Sequence, residues 1–199
     1  EDAAVSEDSE IRRAVLALAR SRPTDRVVAL LQARPAVARA ALLAGMWHRD
    51  AQVRWQSAGL VAWLPVAATG TEMGAVTAAF ERTLRTEPDR DVRVRAVQAV
   101  AAARLDAMVR LVGALVTRDG AGRVRSAAAE ALGTLGARGE IGALRRALGD
   151  REPRVRAQAA TALGRLLARD ALADVEALAS DGDGQVRQAA AEAAKRLRR

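Results

Sequence analysis

Apolar residues recur at helical spacing along most of the chain. In one segment Val155, Ala159, Leu163 and Leu166 follow one another at intervals of 4, 4 and 3 residues, which places them on one stripe of an α-helix. Asp, Gly and Pro residues stand just before this segment and before others like it, as is typical of turns and helix N-termini. The pattern predicts an all-α protein.

Twelve helices are predicted, arranged as six pairs in which helix A, a tight turn and helix B follow one another. They lie near residues 9–20 and 24–33, 35–46 and 51–64, 72–86 and 91–104, 106–117 and 122–136, 140–148 and 153–168, and 171–179 and 184–198. A longer connection over 65–74 follows the second pair. We expect one domain over 9–199, with degenerate repeats in 9–49 and regular repeats in 50–199.

A turn rich in Asp and Gly followed by a Val-Arg pair recurs in the second half of the chain. The pairs begin at Val94, Val124, Val155 and Val186, with spacings of 30, 31 and 31 residues, and an earlier copy begins at Val53. Self-similarity at such a period indicates tandem helical repeats. The pattern resembles the HEAT-repeat family, specifically the short bacterial HEAT-like repeats also found in phycobilisome lyases.

That resemblance implies an architecture and a general role. The repeats would form an α-solenoid, a right-handed superhelix, with A helices on the convex face and B helices lining the concave face. Such repeats mostly serve as binding surfaces for other proteins. Because each pair buries its apolar face only against its neighbours, the terminal pairs are expected to act as caps.

The arginines of the Val-Arg pairs form the most conspicuous series in the sequence, which we call the arginine ladder. By helical angle they lie at the edge of the core stripe, and an Asp stands five residues before the Val in four repeats. We expect structural pairing with these aspartates or with helix-end carbonyls; a strip of guanidinium groups for phosphate or carboxylate is the alternative. The residues are Arg54, Arg95, Arg125, Arg156 and Arg187, with Asp89, Asp119, Asp150 and Asp181.

The exposed face of each B helix is predicted at 2, 6 and 10 residues after its Val. We expect a partner to bind there, and Trp55 and Trp63 are the strongest candidates because exposed aromatic side chains often anchor interfaces. Burial of both rings beneath the 65–74 connection is the alternative. The predicted binding residues are Trp55, Trp63, Val100, Arg104, Glu130, Thr134, Thr161, Arg165, Gln188, Glu192 and Arg196, and the same offsets also give Gly59, Ala96, Ser126 and Ala157.

The charge distribution leaves a second function open. The chain has 32 Lys and Arg against 24 Asp and Glu, for a net charge of +8. The acids are dense at the start, so residues 1–8 are interpreted as an acidic leader or linker, and the chain is expected to be part of a larger protein. A basic solenoid could bind DNA, as the HEAT-like alkylpurine glycosylases do, and this is the alternative to a protein partner. A bilin-lyase-like chaperone is a remote third possibility.

No motif for catalysis or cofactor binding is found. The chain has no Cys and a single histidine, His48, which we interpret as a surface or capping residue. No phosphate-binding loop, nucleophile elbow or zinc-protease motif occurs. We therefore expect a non-enzymatic scaffold without cofactor or metal. No run of 18 uncharged apolar residues indicates a membrane span, and a cytoplasmic protein is the default expectation.

Overall fold

A computed structural model describes the backbone of residues 2–17, 25–64 and 70–199, and their side chains except those of 2–8 and 25–27. These residues form twelve α-helices and no strand. The helices are α1 (Asp2–Ala17), α2 (Asp25–Ala33), α3 (Pro35–Gly45), α4 (Ala51–Trp63), α5 (Gly70–Thr86), α6 (Arg90–Ala102), α7 (Val109–Arg118), α8 (Gly122–Leu135), α9 (Ile141–Ala147), α10 (Pro153–Arg165), α11 (Leu172–Glu176) and α12 (Gly184–Leu197).

The predicted all-α fold is confirmed, and most predicted helix boundaries agree closely with the structure. The main difference is at the N-terminus, where α1 already begins at Asp2, so the segment predicted as an acidic leader is helical. Residues 65–69 of the predicted 65–74 connection lie outside the described residues, and the other half is helical because α5 begins at Gly70. Short 3₁₀ turns lead into α7, α9 and α11.

The chain has two compact units where the sequence predicts one domain, Glu1–Ala103 and Arg104–Arg199. In the first unit α4 packs against α3 and α6, and the core is filled by the fully buried side chains of Leu42, Val61 and Phe80. In the second unit α8, α10 and α12 pack one on the next, and α7, α9 and α11 lie beside them as the A helices.

A buried valine occupies the third position of every B helix from α4 onward. These valines are Val53, Val92, Val124, Val155 and Val186, each at most 2% exposed. In α6 the core valine is therefore Val92, and the predicted register, which started at Val94, is wrong by two residues. The segment contains two consecutive Val-Arg pairs, Val92-Arg93 and Val94-Arg95. The helix begins in the register of the first pair, since Asp89 is its N-cap and accepts hydrogen bonds from the amides of Asp91 and Val92.

Small residues allow the B helices of the second unit to approach each other closely. A Cβ on Gly133 would lie 3.1 Å from the Cα of Ala162, and one on Gly164 would lie 2.9 Å from the Cα of Ala193. Both distances are shorter than ordinary contacts between carbon atoms. The observed approach of α12 to α10 therefore requires glycine at residue 164, and a Cβ on Gly133 would require α10 to shift by a few tenths of an ångström.

Candidate functional site

Two arginines of the second unit link successive turns of the repeat. Nε and Nη2 of Arg125 donate to the two carboxylate oxygens of Asp150, each at 2.7 Å. Its Nη1 donates to the carbonyl oxygens of residues 119–120 in the turn before its own helix. Arg156 makes the same bidentate pair with Asp181. These contacts confirm the structural interpretation of both arginines.

The first unit contains the same arrangement with a different acid. Nε and Nη2 of Arg54 donate to the carboxylate of Glu87 at 2.8 Å, and its Nη1 donates to the carbonyl oxygens of residues 48–49. Glu87 stands five residues before Val92, as Asp150 stands five before Val155. The prediction that Asp89 is the ladder acid of this repeat is wrong, because its side chain caps α6.

The predicted ladder position of Arg95 is also wrong, for the same two-residue reason. Arg93 makes the backbone contacts in this repeat, since its Nη1 donates to the carbonyl oxygens of Glu87 and Pro88 at 3.0 Å. Arg187 makes the corresponding contacts before α12, with its Nη1 2.7 Å from the carbonyl oxygen of Asp181. Arg95 therefore lies on another face of α6 and is described below.

The contacts with Arg125 and Arg156 lower the pKa of Asp150 and Asp181 below the ordinary value of 3.8. For Asp181 the hydrogen bond from Arg156 is the largest cause. For Asp150 burial alone would raise the pKa, but the hydrogen bonds from Arg125 and from the amide of Glu152 outweigh burial. These pairs stabilise the folded state as long as the carboxylates are ionised.

This shift predicts a pH-dependent contribution of Asp150 to stability. Because its pKa is lowered on folding, the contribution is complete above about pH 4 and is lost as the pH falls through the folded value. We expect the stability difference between wild type and Asp150→Asn, measured by urea unfolding, to be constant near neutral pH and to narrow below about pH 4. A difference that is the same at about pH 3 and at neutral pH would contradict this.

The exposed face of the first unit carries the two predicted tryptophans. Trp63 is 50% exposed, and Trp55 is partly exposed beneath the guanidinium of Arg95, whose Cζ lies 4.6 Å from the centroid of its ring. Full burial of the rings, the alternative considered above, is therefore excluded. The two tryptophans lie on the outer face of α4, where the offsets placed them.

On α6 the corrected register changes the exposed residues. Val100 and Ala96, predicted to face a partner, are fully buried in the core. Arg104 is exposed but lies beyond the end of α6, with a left-handed φ of 51°. Counting from Val92 instead, the offsets identify the residues that the structure exposes or half-exposes, which are Val94, Gln98 and Ala102.

A cleft of about 580 Å³ opens on this face, and we call it the Trp63 cleft. Its lining is mainly apolar, with one cation and one amide. A Cβ on Gly59 would overlap the guanidinium of Arg95, so the glycine makes room for that side chain. The lining residues are Val28, Gly59, Leu60, Ala62, Trp63, Arg95, Gln98, Ala99 and Ala102. The sequence could have indicated Arg95 and Gln98 only with the correct register for α6.

In the second unit, most predicted face residues are exposed and chemically mixed. Ser126 is the exception, with only 4% exposure. The hydroxyls of Thr134 and Thr161 donate to carbonyls of their own helices. Thr161 and Ala157 are partly exposed. The exposed residues of this set are Glu130, Thr134, Arg165, Gln188, Glu192 and Arg196. The two acids and two arginines give this face no single sign of charge.

His48 is partly exposed and accepts a hydrogen bond from the amide of Asp50 at 3.1 Å, in the turn before α4, where Asp50 is the N-cap. Within the described part of the chain, no group of three His, Asp or Glu side chains could hold a metal ion. None of the helices described here is long and apolar enough to cross a membrane. An apolar groove of about 720 Å³ between α1 and α3, which the sequence did not indicate, is lined by Val15, Leu16 and Val37 among others.

Comparison with known proteins agrees with the repeat architecture. Residues 111–195 match the family model of HEAT repeats. Comparison with curated proteins finds no match to this sequence. Among solved structures, YibA of Escherichia coli is similar with a TM-score of 0.71 and 17% identity, over 96% of this chain and 75% of that chain. A designed armadillo repeat protein has a TM-score of 0.57 and 15% identity, over 96% and 92% of the two chains.

A third similar structure is a crystal structure of an engineered protein, with a TM-score of 0.61 and 19% identity, over 96% of this chain and 90% of that one. The phycobilisome-lyase type of repeat and the right-handed superhelix stay predictions. Residues 111–195 of the chain are therefore similar to HEAT repeats, and the described residues have the fold of a helical repeat protein.

Proposed function

We propose that this chain is a non-enzymatic interaction scaffold that binds a peptide or helix of a partner protein, with the Trp63 cleft as the main contact in the first unit. The exposed Trp63 is the single observation that carries the proposal. A tryptophan that is 50% exposed at the edge of an apolar cleft leaves a large apolar area in water. A partner that covers such a ring removes apolar surface from water, which contributes favourable binding free energy. Tryptophans are also enriched among the residues that dominate interface energies.

DNA binding has weaker support than protein binding. Several of the arginines that give the chain its positive charge already form ion pairs in the turns. Arg54, Arg125 and Arg156 each pair with a carboxylate. The described lining of the Trp63 cleft contains one cation, whereas binding to a DNA backbone requires several phosphate contacts. No observation favours a bilin-lyase-like role.

A peptide selection with tryptophan variants tests the proposal. A phage-displayed library of random dodecapeptides would be selected on the immobilised protein, and the enriched peptides synthesised for affinity measurements. We expect Trp63→Ala to weaken their binding about 30-fold, because interface tryptophans often contribute about 2 kcal/mol. The control is Trp47→Ala. Trp47 is also exposed, at 39%, but contacts Arg82 and does not line the cleft.

Two results would contradict the proposal. One is a selection that enriches no peptide, and the other is equal affinity of wild type and Trp63→Ala for the enriched peptides. Fluorescence anisotropy of a labelled duplex of about 25 base pairs tests the alternative, and micromolar binding that persists at about 150 mM salt would favour DNA instead. Binding lost at that salt concentration would indicate nonspecific attraction.

A further inference from the structure

The guanidinium of Arg95 is held in a defined position on the floor of the Trp63 cleft. Its Cζ lies 4.6 Å from the centroid of the Trp55 ring, in cation–π geometry. The absence of a side chain at Gly59 leaves space for it against α4. A long side chain held in this way loses less conformational entropy when it binds a ligand than a freely moving one. Arg95 is therefore partly organised for binding before any partner arrives.

Arg95 differs from the ladder arginines because no described acidic side chain pairs with it. The Nε atom of Arg54 lies 2.8 Å from a carboxylate oxygen of Glu87, and that of Arg125 lies 2.7 Å from a carboxylate oxygen of Asp150. Among the described residues, Arg95 forms no ion pair, and its buried Nε has no hydrogen-bond partner. Burial without a counter-charge also lowers the pKa of the guanidinium from its ordinary value. A partly buried cation without an acid carries a desolvation cost that an incoming anion would offset.

The rest of the cleft determines which kind of anion fits. Among the described residues that line the cleft, none is acidic, and apart from Arg95 only Gln98 has an amide or charged side chain. Trp63 forms an exposed apolar wall beside them. A ligand that is complementary to this surface has one anionic group and an apolar part next to it, since binding clefts combine an apolar lining with a few polar groups that orient the ligand.

We propose that the Trp63 cleft recognises an acidic residue in a segment of a partner protein. The carboxylate of an Asp or Glu of that segment pairs with Arg95, and a neighbouring apolar side chain of the segment packs on Trp63. This inference rests on the proposed function and adds the chemical class of the partner segment. A guanidinium fits a carboxylate well because its N–H groups can donate two parallel hydrogen bonds.

A nucleic acid satisfies this surface less well than an acidic peptide. Its phosphates also accept paired hydrogen bonds from arginine, but successive phosphates need successive cations. Of the lining residues that the structure describes, Arg95 is the one cation, and most of the others have apolar side chains. A peptide supplies one carboxylate and an apolar side chain within two or three residues, which is the combination that the cleft accommodates.

Selected peptides and their amide analogues test this proposal. Peptides from the dodecapeptide library would be compared with analogues in which each Asp or Glu is replaced by Asn or Gln. On the wild-type protein we expect enrichment of acidic residues next to apolar ones, and at least about tenfold weaker binding of the critical amide analogue. The affinities of the Arg95→Gln variant for the acidic peptide and for its amide analogue should differ by less than about twofold. The substitution in the protein and the substitution in the peptide remove the same contact.

A matched variant and a folding check accompany the measurement. Arg90→Gln removes an exposed arginine of the same helix that does not line the cleft, and it should keep the tenfold preference for the acid. Tryptophan fluorescence and circular dichroism establish whether Arg95→Gln is folded. If it is not, the comparison of acid and amide peptides on the wild-type protein still decides the question.

The outcomes separate this inference from the proposed function. Peptides that require Trp63 but bind equally well as acid and amide would overturn the acidic-segment proposal and leave the scaffold function standing. A library that enriches no peptide would overturn both. Binding of the duplex DNA at near-physiological salt that is lost in Arg95→Gln would assign the cleft to a phosphate backbone and would also overturn the acidic-segment proposal.

Discussion

Replacing Arg125 with methionine should lower the free energy of unfolding of the second unit by about 3 to 5 kcal/mol. The side chains of Arg125 and Asp150 are only 6% and 11% exposed, and they share two hydrogen bonds of 2.7 Å. Methionine retains much of the side-chain volume but leaves the carboxylate buried without a counter-charge. It also removes the donor to the carbonyl oxygens of residues 119–120.

Urea unfolding followed by circular dichroism measures this loss. All three tryptophans precede residue 64, so tryptophan fluorescence reports on the first unit alone and identifies any change there. A double variant, Arg125→Met with Asp150→Leu, should recover part of the loss because neither charge then remains buried. The stability that the double variant recovers measures the contribution of the unpaired carboxylate. The loss that remains includes the missing hydrogen bonds to the carbonyl oxygens of residues 119–120.

An exposed pair in the same unit provides the control. Arg145 and Asp174 are 2.6 Å apart, but their side chains are 46% and 41% exposed. Because water screens such a pair, Arg145→Met should lower the free energy of unfolding by less than about 1 kcal/mol. Equal losses for Arg125→Met and Arg145→Met would contradict the role assigned to the buried ladder, since the two arginines differ mainly in burial.

Replacing Gly164 with alanine should destabilise the protein by about 1 to 3 kcal/mol, although this change usually stabilises a helix. The added Cβ would lie 2.9 Å from the Cα and 3.0 Å from the Cβ of Ala193. Its nearest neighbour is backbone, which cannot rotate away as a flexible side chain can. Helices α10 and α12 would have to move apart, and the core contacts between them would be lost.

The matched control is Gly142→Ala in α9. A Cβ at Gly142 would meet only the end of the Arg146 side chain, at 3.8 Å. This substitution should therefore be neutral or stabilise the protein by up to about 1 kcal/mol. Urea unfolding followed by circular dichroism compares the two variants. If Gly164→Ala were as stable as Gly142→Ala, the close approach of α10 and α12 would not exist in solution.

The sequence predicted the fold class well because its signals are local. Apolar residues at helical spacing, caps such as Asp50 and Asp183, and Pro153 in the first turn of α10 each act within one or two turns of a helix. The regular spacing of the last three repeats indicated that Arg125 and Arg156 bind aspartates or helix-end carbonyls of the turns. The structure shows both kinds of contact and identifies the acids as Asp150 and Asp181 of the following turns.

The candidate site was predicted only in part, and the reason lies in α6. The segment around Val92 and Val94 satisfies the repeat pattern in two registers, and the register chosen placed Arg95 in the ladder and Val100 on the surface. In the structure Val100 is fully buried and Arg95 faces the cleft. A shift of two residues turns a helix by about 200°, which is enough to exchange its buried and exposed faces.

The sequence by itself determined the helices and the repeat period, because these depend on residues close together in the chain. It indicated that the repeat arginines bind aspartates or helix-end carbonyls, and the structure identified each partner. Only the tertiary structure decided which valine of α6 is buried, since that depends on how α6 packs against α4. The same packing places Arg95 over Trp55 and leaves Trp63 half exposed. Contacts between residues about 40 positions apart set these features, and no local pattern encodes them.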